Sequence, residues 1–163
     1  MASRQFFDPL VLLRVAPLVT TSASLWYSVD QFGLYTLLLG PRLRETAAQL
    51  LPGWWQVNLA PGLAAIFGLY GVSIGAGVAN LLYKGGVGAS RLYGYGAAFA
   101  LSHFLFVPAV MYKIKAMVDD EPKGEAPAHQ RRWLNVHVVR SLISDLPGFL
   151  CFLFAVTQSL KAV

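Results

Sequence analysis

Apolar residues along this chain fall into four long runs separated by short polar breaks, and each run reaches the roughly 20 residues that cross a bilayer core as a helix. The first runs from about Pro9 to Leu39, the second from Trp54 to Tyr83, the third from Ser90 to Lys113 and the fourth from Trp133 to about Leu160. Lipid offers no hydrogen-bonding partner to a bare backbone, so spans of this kind close their own hydrogen bonds as helices. The pattern predicts an all-α fold, an integral membrane four-helix bundle in which residues 1–163 form a single domain.

The breaks have a character of their own. The first run is longer than a bilayer requires, and Asp30-Gln31-Phe32-Gly33 is expected to bend or end it. Pro41 to Gly53, carrying Arg42, Arg44 and Glu45, reads as a short connector. Trp54 and Trp55 then form an interfacial belt, and Gly68, Gly71, Gly75 and Gly77 are expected to let neighbouring helices approach closely. Gly85 to Gly88 lacks the preceding strand and following lysine of a phosphate loop, and reads as a tight turn. Lys115 to Arg132, with four acidic residues and two prolines, is the one substantial loop.

Composition agrees with lipid as the main solvent. The chain is 56% hydrophobic and 13% charged, too little polar surface to cover a water-exposed globule. Its formal charge of +5 does not indicate nucleic acid, because the basic residues are scattered near span ends instead of clustering on one face. Arg42, Arg44, Lys113, Lys115, Arg131 and Arg132 flank the first and third connectors, which places those connectors on the cytosolic side and both termini opposite. The segment Met1 to Asp8 has no small-residue cleavage site, so the first span is expected to remain in the mature protein. The single cysteine, Cys151, lies within the last run and belongs to no disulfide framework.

Candidate chemistry comes from polar residues inside the runs. His137, Arg140, Ser141, Ser144, Asp145 and Gly148 share one face of the fourth span, and Arg14, Pro17, Thr21, Ser24, Ser28 and Gln31 make a similar stripe on the first. An ionisable group inside a membrane costs at least ~2.5 kcal/mol on insertion scales, so its default reading is a functional cavity, with helix–helix adhesion as the alternative. At ~1.5 Å per residue, Asp30, Gln31, Asn58, His103, His137 and Arg140 fall at comparable depth below one membrane face. Convergence from four helices suggests a lined pocket, with Asp30, Gln31, Asn58, Asn135 and Asp145 as substrate-binding residues. His137 is expected to accept a proton, because imidazole titrates near neutrality. Arg140 is expected to stabilise an oxyanion or enolate, or else to pair with Asp30 or Asp145. His103 completes the catalytic set. His103, His137 and an aspartate lack the compact spacing of an iron site, and no metal is assigned.

The run Arg132-Trp133-Leu134-Asn135-Val136-His137-Val138-Val139-Arg140-Ser141-Leu142 resembles the last-helix signature, tryptophan followed by histidine-x-x-arginine, of the anthrone oxygenase family of small fungal membrane proteins. Ser102-His103-Phe104-Leu105-Phe106-Val107-Pro108 is similar to the family's third helix, which runs into a proline before a polar loop; Ala109 and Val110 then depart from the threonine-asparagine common there. The resemblance implies oxygenation of a polycyclic phenolic anthrone in polyketide biosynthesis, with molecular oxygen as co-substrate and no organic cofactor, and with His137 and Arg140 at the matching polar positions. It also implies as partners a hydrophobic aromatic small molecule and the lipid bilayer, with the endoplasmic reticulum as the expected membrane and self-association left open. A membrane cyclase or isomerase using the same acid and base, and a non-enzymatic accessory subunit joined through the small residues of span two, are the competing readings.

Overall fold

The computed structural model describes residues 8–83 and 89–160, so the glycine-rich turn expected at Gly85 to Gly88 lies outside the described residues. Four helices long and apolar enough to cross a membrane make up the fold, and the described residues contain no strand. The protein is an all-α membrane bundle. Its lipid-facing surface carries large apolar side chains such as Trp26, Leu105 and Val57.

Helix α1 spans Pro9–Leu38. Asp8 caps it by accepting from the Leu10 amide at 2.8 Å, and a proline opens it. The expected break at Asp30 to Gly33 does not occur. The helix continues because Tyr35, one turn further on, is buried between Trp55 and Trp133. Within α1, Pro17 has no amide hydrogen and leaves the carbonyl of Leu13 without its usual partner. The Asn80 side-chain amide donates to that carbonyl at 2.8 Å.

Helix α2 spans Arg44–Leu82 and thus absorbs most of the segment expected to be a connector. Ala47, Leu51 and Trp55 recur at four-residue spacing and are buried, so these first turns form an apolar helical face that has something to pack against. The loop expected from Lys115 to Arg132 shrinks for the same reason. The third span runs as α3, Ser90–Ser102, through a short 3₁₀ turn at His103–Phe106, into α4, Val107–Asp119. The fourth begins at α5, Ala126–Arg140. Met117, Ala126, Trp133 and Leu134 join Tyr35, Ala47, Leu51 and Trp55 in one apolar cluster that closes this end of the bundle.

Two local departures from α-geometry follow from prolines. Pro108 cannot donate to Phe104, so the backbone tightens, and the Val107 amide bonds the Phe104 carbonyl in a 3₁₀ turn. Shortly before Pro147, Ser141–Asp145 widens into a π-turn in which the Leu146 amide reaches the Ser141 carbonyl. Helix α6, Leu146–Leu160, completes the span.

At the opposite end, Arg14 of α1 donates to the Ser159 carbonyl of α6 at 3.5 Å, and the Tyr93 hydroxyl donates to the Arg14 carbonyl at 3.1 Å. The start of α1 and the end of α6 therefore share one face, as an up-and-down bundle requires. Of the glycines expected to permit close approach, Gly77 does so: a Cβ there would lie 2.9 Å from the Ala97 Cβ. Gly68, Gly71 and Gly75 have nothing within 4 Å and face outward, because they sit on the other side of α2.

Candidate active site

Four buried ionisable side chains from the 3₁₀ turn, α5 and the π-turn form a continuous chain of contacts in the bundle interior. His103 Nδ1 lies 2.9 Å from Asp145 Oδ1; Arg140 Nε donates to Asp145 Oδ2 at 3.3 Å; Arg140 Nη2 donates to His137 Nδ1 at 2.9 Å; and His137 Nε2 lies 3.0 Å from the Ser28 carbonyl. All four side chains are buried. Of the two acidic partners expected for Arg140, Asp145 is the one that meets it.

The π-turn makes that pairing. Residues five apart point roughly 140° away from each other on an α-helix of 3.6 residues per turn, whereas the wider π-turn brings them to one side. Arg140 and Asp145 flank that turn, so the sequence distortion and the ion pair are one feature. The 3₁₀ turn does the equivalent work for His103, which it swings against Asp145 and under the ring of Tyr70, with ring centroids 4.0 Å apart.

Donor and acceptor logic fixes the proton positions. A guanidinium only donates and a carbonyl only accepts, so His137 is neutral, with its proton on Nε2 toward Ser28 and its Nδ1 lone pair toward Arg140. Its ring also stacks on Trp133 at 4.8 Å. Both nitrogens are occupied and the residue is shielded behind Arg140, so the free proton acceptor expected at His137 is not what its geometry favours. His103 differs. Its Nδ1 proton points at the Asp145 carboxylate, and its Nε2 has no protein partner among the described residues.

His103 and Arg140 both line a cavity of about 390 Å³. Its wall is mostly carbon, from α1, α2, the 3₁₀ turn, α4 and α5, with Tyr35, Trp55 and Trp133 at the loop end. Gln31 and Asn58 reach it as expected, and Asn58 is steadied by donating to the Trp54 carbonyl at 3.0 Å. Asp145 and His137 stand behind the lining. Asp30 and Asn135 are exposed and off the cavity, because each is rotated more than a quarter of a turn from the inward stripes of Ser24, Ser28 and Gln31 on α1 and of Trp133, His137 and Arg140 on α5. Their assignment to substrate binding is corrected accordingly. Tyr27, Tyr35 and Tyr70 were not singled out from the sequence, whereas Trp55 and Trp133 were read there as an interfacial anchor and as the start of the last-helix signature, not as cavity wall. A tyrosine in mid-span was the available signal for Tyr70, while Tyr27 and Tyr35 sat among many aromatics without a distinguishing pattern.

A buried histidine–carboxylate pair and a guanidinium at the wall of an apolar cavity inside a membrane bundle define a class of membrane enzyme suited to acid–base chemistry on a greasy substrate. The chain is 31% identical over 153 residues to the probable epoxidase scpX of Mollisia scopiformis, covering 91% of this chain and 96% of that protein. It is 30% identical over 159 residues to the epoxidase pydX of Acremonium sp, covering 95% and 96%. It is also 27% identical over 155 residues to the epoxidase gkaX of Penicillium citrinum, covering 93% and 96%. The chain belongs to this family of oxygenase-type enzymes, which accords with the anthrone oxygenase-like signature of its last helix. No family model matches the chain, and no solved structure matches it.

Proposed function

We propose that the protein is a membrane-bound oxygenase of natural-product biosynthesis that oxidises an anthrone-type phenolic substrate with molecular oxygen after base-assisted deprotonation. The observation that carries this reading is the pairing of His103 Nδ1 with Asp145 at 2.9 Å beside the cavity, which leaves Nε2 as an unshared base. His103 takes a proton from the activated carbon or hydroxyl, and Asp145 stabilises the imidazolium that forms. Arg140 holds the negative charge that collects on the substrate oxygen, and His137, anchored on Ser28, aims the Arg140 fork. The apolar wall keeps water from the carbanion.

The resulting electron-rich anion reduces oxygen itself. Over the whole reaction the substrate loses two hydrogens and gains one oxygen, and the second oxygen atom leaves as water, so the substrate is its own reductant. Applied to a hydroquinone, the same stoichiometry yields an epoxyquinone and water, and the names of the relatives favour this product as a second reading of the same site.

Turnover of an anthrone by the protein in lipid nanodiscs under isotopically heavy oxygen tests the proposal. The product should carry one heavy atom per molecule and be two hydrogens poorer. A product of unchanged mass would transfer the site to cyclisation or isomerisation. A product that gained oxygen while retaining its hydrogens would require an external reductant and overturn the substrate-driven mechanism.

A further inference from the structure

We infer that the cavity opens sideways into the hydrocarbon core through a slot between α2 and α4, and that the substrate enters as a solute of the bilayer instead of from water. The assignment of the traveller rests on the oxygenase reading; the opening itself does not.

The slot is defined by two closed ends with a gap between them. At the loop end Gln56 of α2 donates to the Val118 carbonyl of α4 at 2.8 Å. At the deep end the rings of Phe67 and Phe104 stack with centroids 5.6 Å apart, joining α2 to the 3₁₀ turn that precedes α4. Gln56 and Phe67 are separated by eleven residues, or roughly 16 Å of helix. Between these latches, residues of both helices serve two surfaces at once. Leu63, Val107 and Met111 line the cavity and are 44%, 45% and 50% exposed. Side chains that combine the two properties on facing helices mark the rim of the opening.

Depth shows what lies outside. Counted from Trp54, Leu63 is ~14 Å along α2, and counted back from Lys113, Phe104 is a similar distance along the third span. Both values reach the middle of a hydrocarbon core about 30 Å thick. The rim is apolar at this depth, with the polar lining groups Asn58 and Lys115 confined to the loop end of the slot, and a wet vestibule in mid-membrane would have to be lined by polar groups. The ligand that fits is therefore a largely apolar molecule, slim enough to pass between two helices edge-on, with an oxygen function that reaches His103 and Arg140. A flat polycyclic phenol meets these terms; a charged or strongly hydrated substrate does not.

The experiment uses the full chain in liposomes and an apolar aryl diazirine dissolved in the bilayer, with labelled residues read by mass spectrometry. Light should label Tyr27, Asn58 and His103 inside the cavity as well as Trp26, which is 74% exposed on the outer surface. In the double variant Leu63→Trp with Met111→Trp, built at two exposed rim positions, cavity labelling should fall to background. Labelling of Trp26 should stay at the wild-type level and serve as the check on folding. Cavity labelling that survives in the double variant, or that a membrane-impermeant diazirine in the buffer produces equally well, would overturn the lateral slot. The second arm is turnover: the double variant should show a raised KM for substrate supplied in the membrane, and an unchanged KM would show that substrate takes another path. Should no anthrone be oxidised even by the wild-type protein, the labelling arm still decides the slot, and the oxygenase reading fails alone.

Discussion

Two arginine-centred clusters lie buried in the same bundle, and they are built differently. Around Arg14, the partners are mostly backbone: its guanidinium donates to the Ser159 carbonyl, Tyr93 donates to the Arg14 carbonyl, and Asn80 donates to the Leu13 carbonyl. Around Arg140, the partners are other ionisable side chains, Asp145 and His137, and through Asp145 also His103. The first cluster is packed into helix contacts. The second stands at the wall of a cavity and rests on two distorted helical turns. Polar residues inside a membrane thus do two jobs, and partner type separates them: side chains that satisfy carbonyls hold helices together, whereas side chains that hold one another in fixed protonation states prepare chemistry.

The contrast is tested most severely at His103. His103→Ala should lower turnover by roughly a hundredfold to ten-thousandfold, the usual worth of a general base, while the protein still folds, because Arg140 remains to satisfy Asp145. Ser159→Ala, in the Arg14 cluster, should leave turnover unchanged. Steady-state kinetics on both variants, with yield of folded protein as control, checks the pair. Equal losses of activity would erase the distinction between the clusters.

A smaller effect is expected at Arg140. Arg140→Lys retains the charge but loses the planar fork that serves Asp145 and His137 together, so turnover should fall by roughly a hundredfold. Arg140→Met should strand the Asp145 carboxylate and lower stability by ~3–5 kcal/mol. Adding Asp145→Asn should recover much of that stability without recovering turnover, a combination that thermal unfolding and kinetics measure side by side. Recovery of turnover in the double variant would reduce Arg140 to a structural partner, like Arg14.

The two clusters were unequally legible in the sequence. Four spans and the inward stripes on α1 and α5 follow from hydrophobic periodicity, and the buried positions Arg14, Pro17, Thr21, Ser24 and Ser28 fall on the expected face. His103, Arg140 and Asp145 also belonged to the expected site. What periodicity could not supply was the distortion at Pro108 and Pro147. An ideal α-helix sets Arg140 and Asp145 at opposite edges of one broad polar face and gives no reason to pair His103 with either, so the base role fell on His137, the histidine one turn from Arg140. Asp30 was misplaced for a related reason: counting depth locates a residue along the span but not around it. The helices that extend past the membrane at Arg44 and Ala126 were hidden because charged residues there look like loop, although Ala47, Leu51 and Gln130 are buried.

The smallest expected effect lies in the Arg14 cluster and concerns stability alone. Pro17 leaves the Leu13 carbonyl without an intrahelical donor, and Asn80 fills the vacancy from α2. Asn80→Leu removes that donor in a dry interior, so the bundle should lose ~1–3 kcal/mol, the cost of a buried acceptor left unmade. Turnover per folded molecule should not change, because the cavity and its lining lie elsewhere along the bundle. Pro17→Ala returns an amide hydrogen at the position that an α-helix uses to reach the carbonyl four residues back. In the wild-type background this change should bring little gain, since Asn80 already serves the carbonyl and the buried proline ring is lost. In the Asn80→Leu background the same change should restore part of the lost stability, so the two substitutions should couple in a double-mutant cycle. Simple additivity in that cycle would mean that Asn80 contributes by packing and not by serving the carbonyl that Pro17 sets free. A fall in turnover with Asn80→Leu, at matched folded yield, would go further and join this cluster to the chemistry.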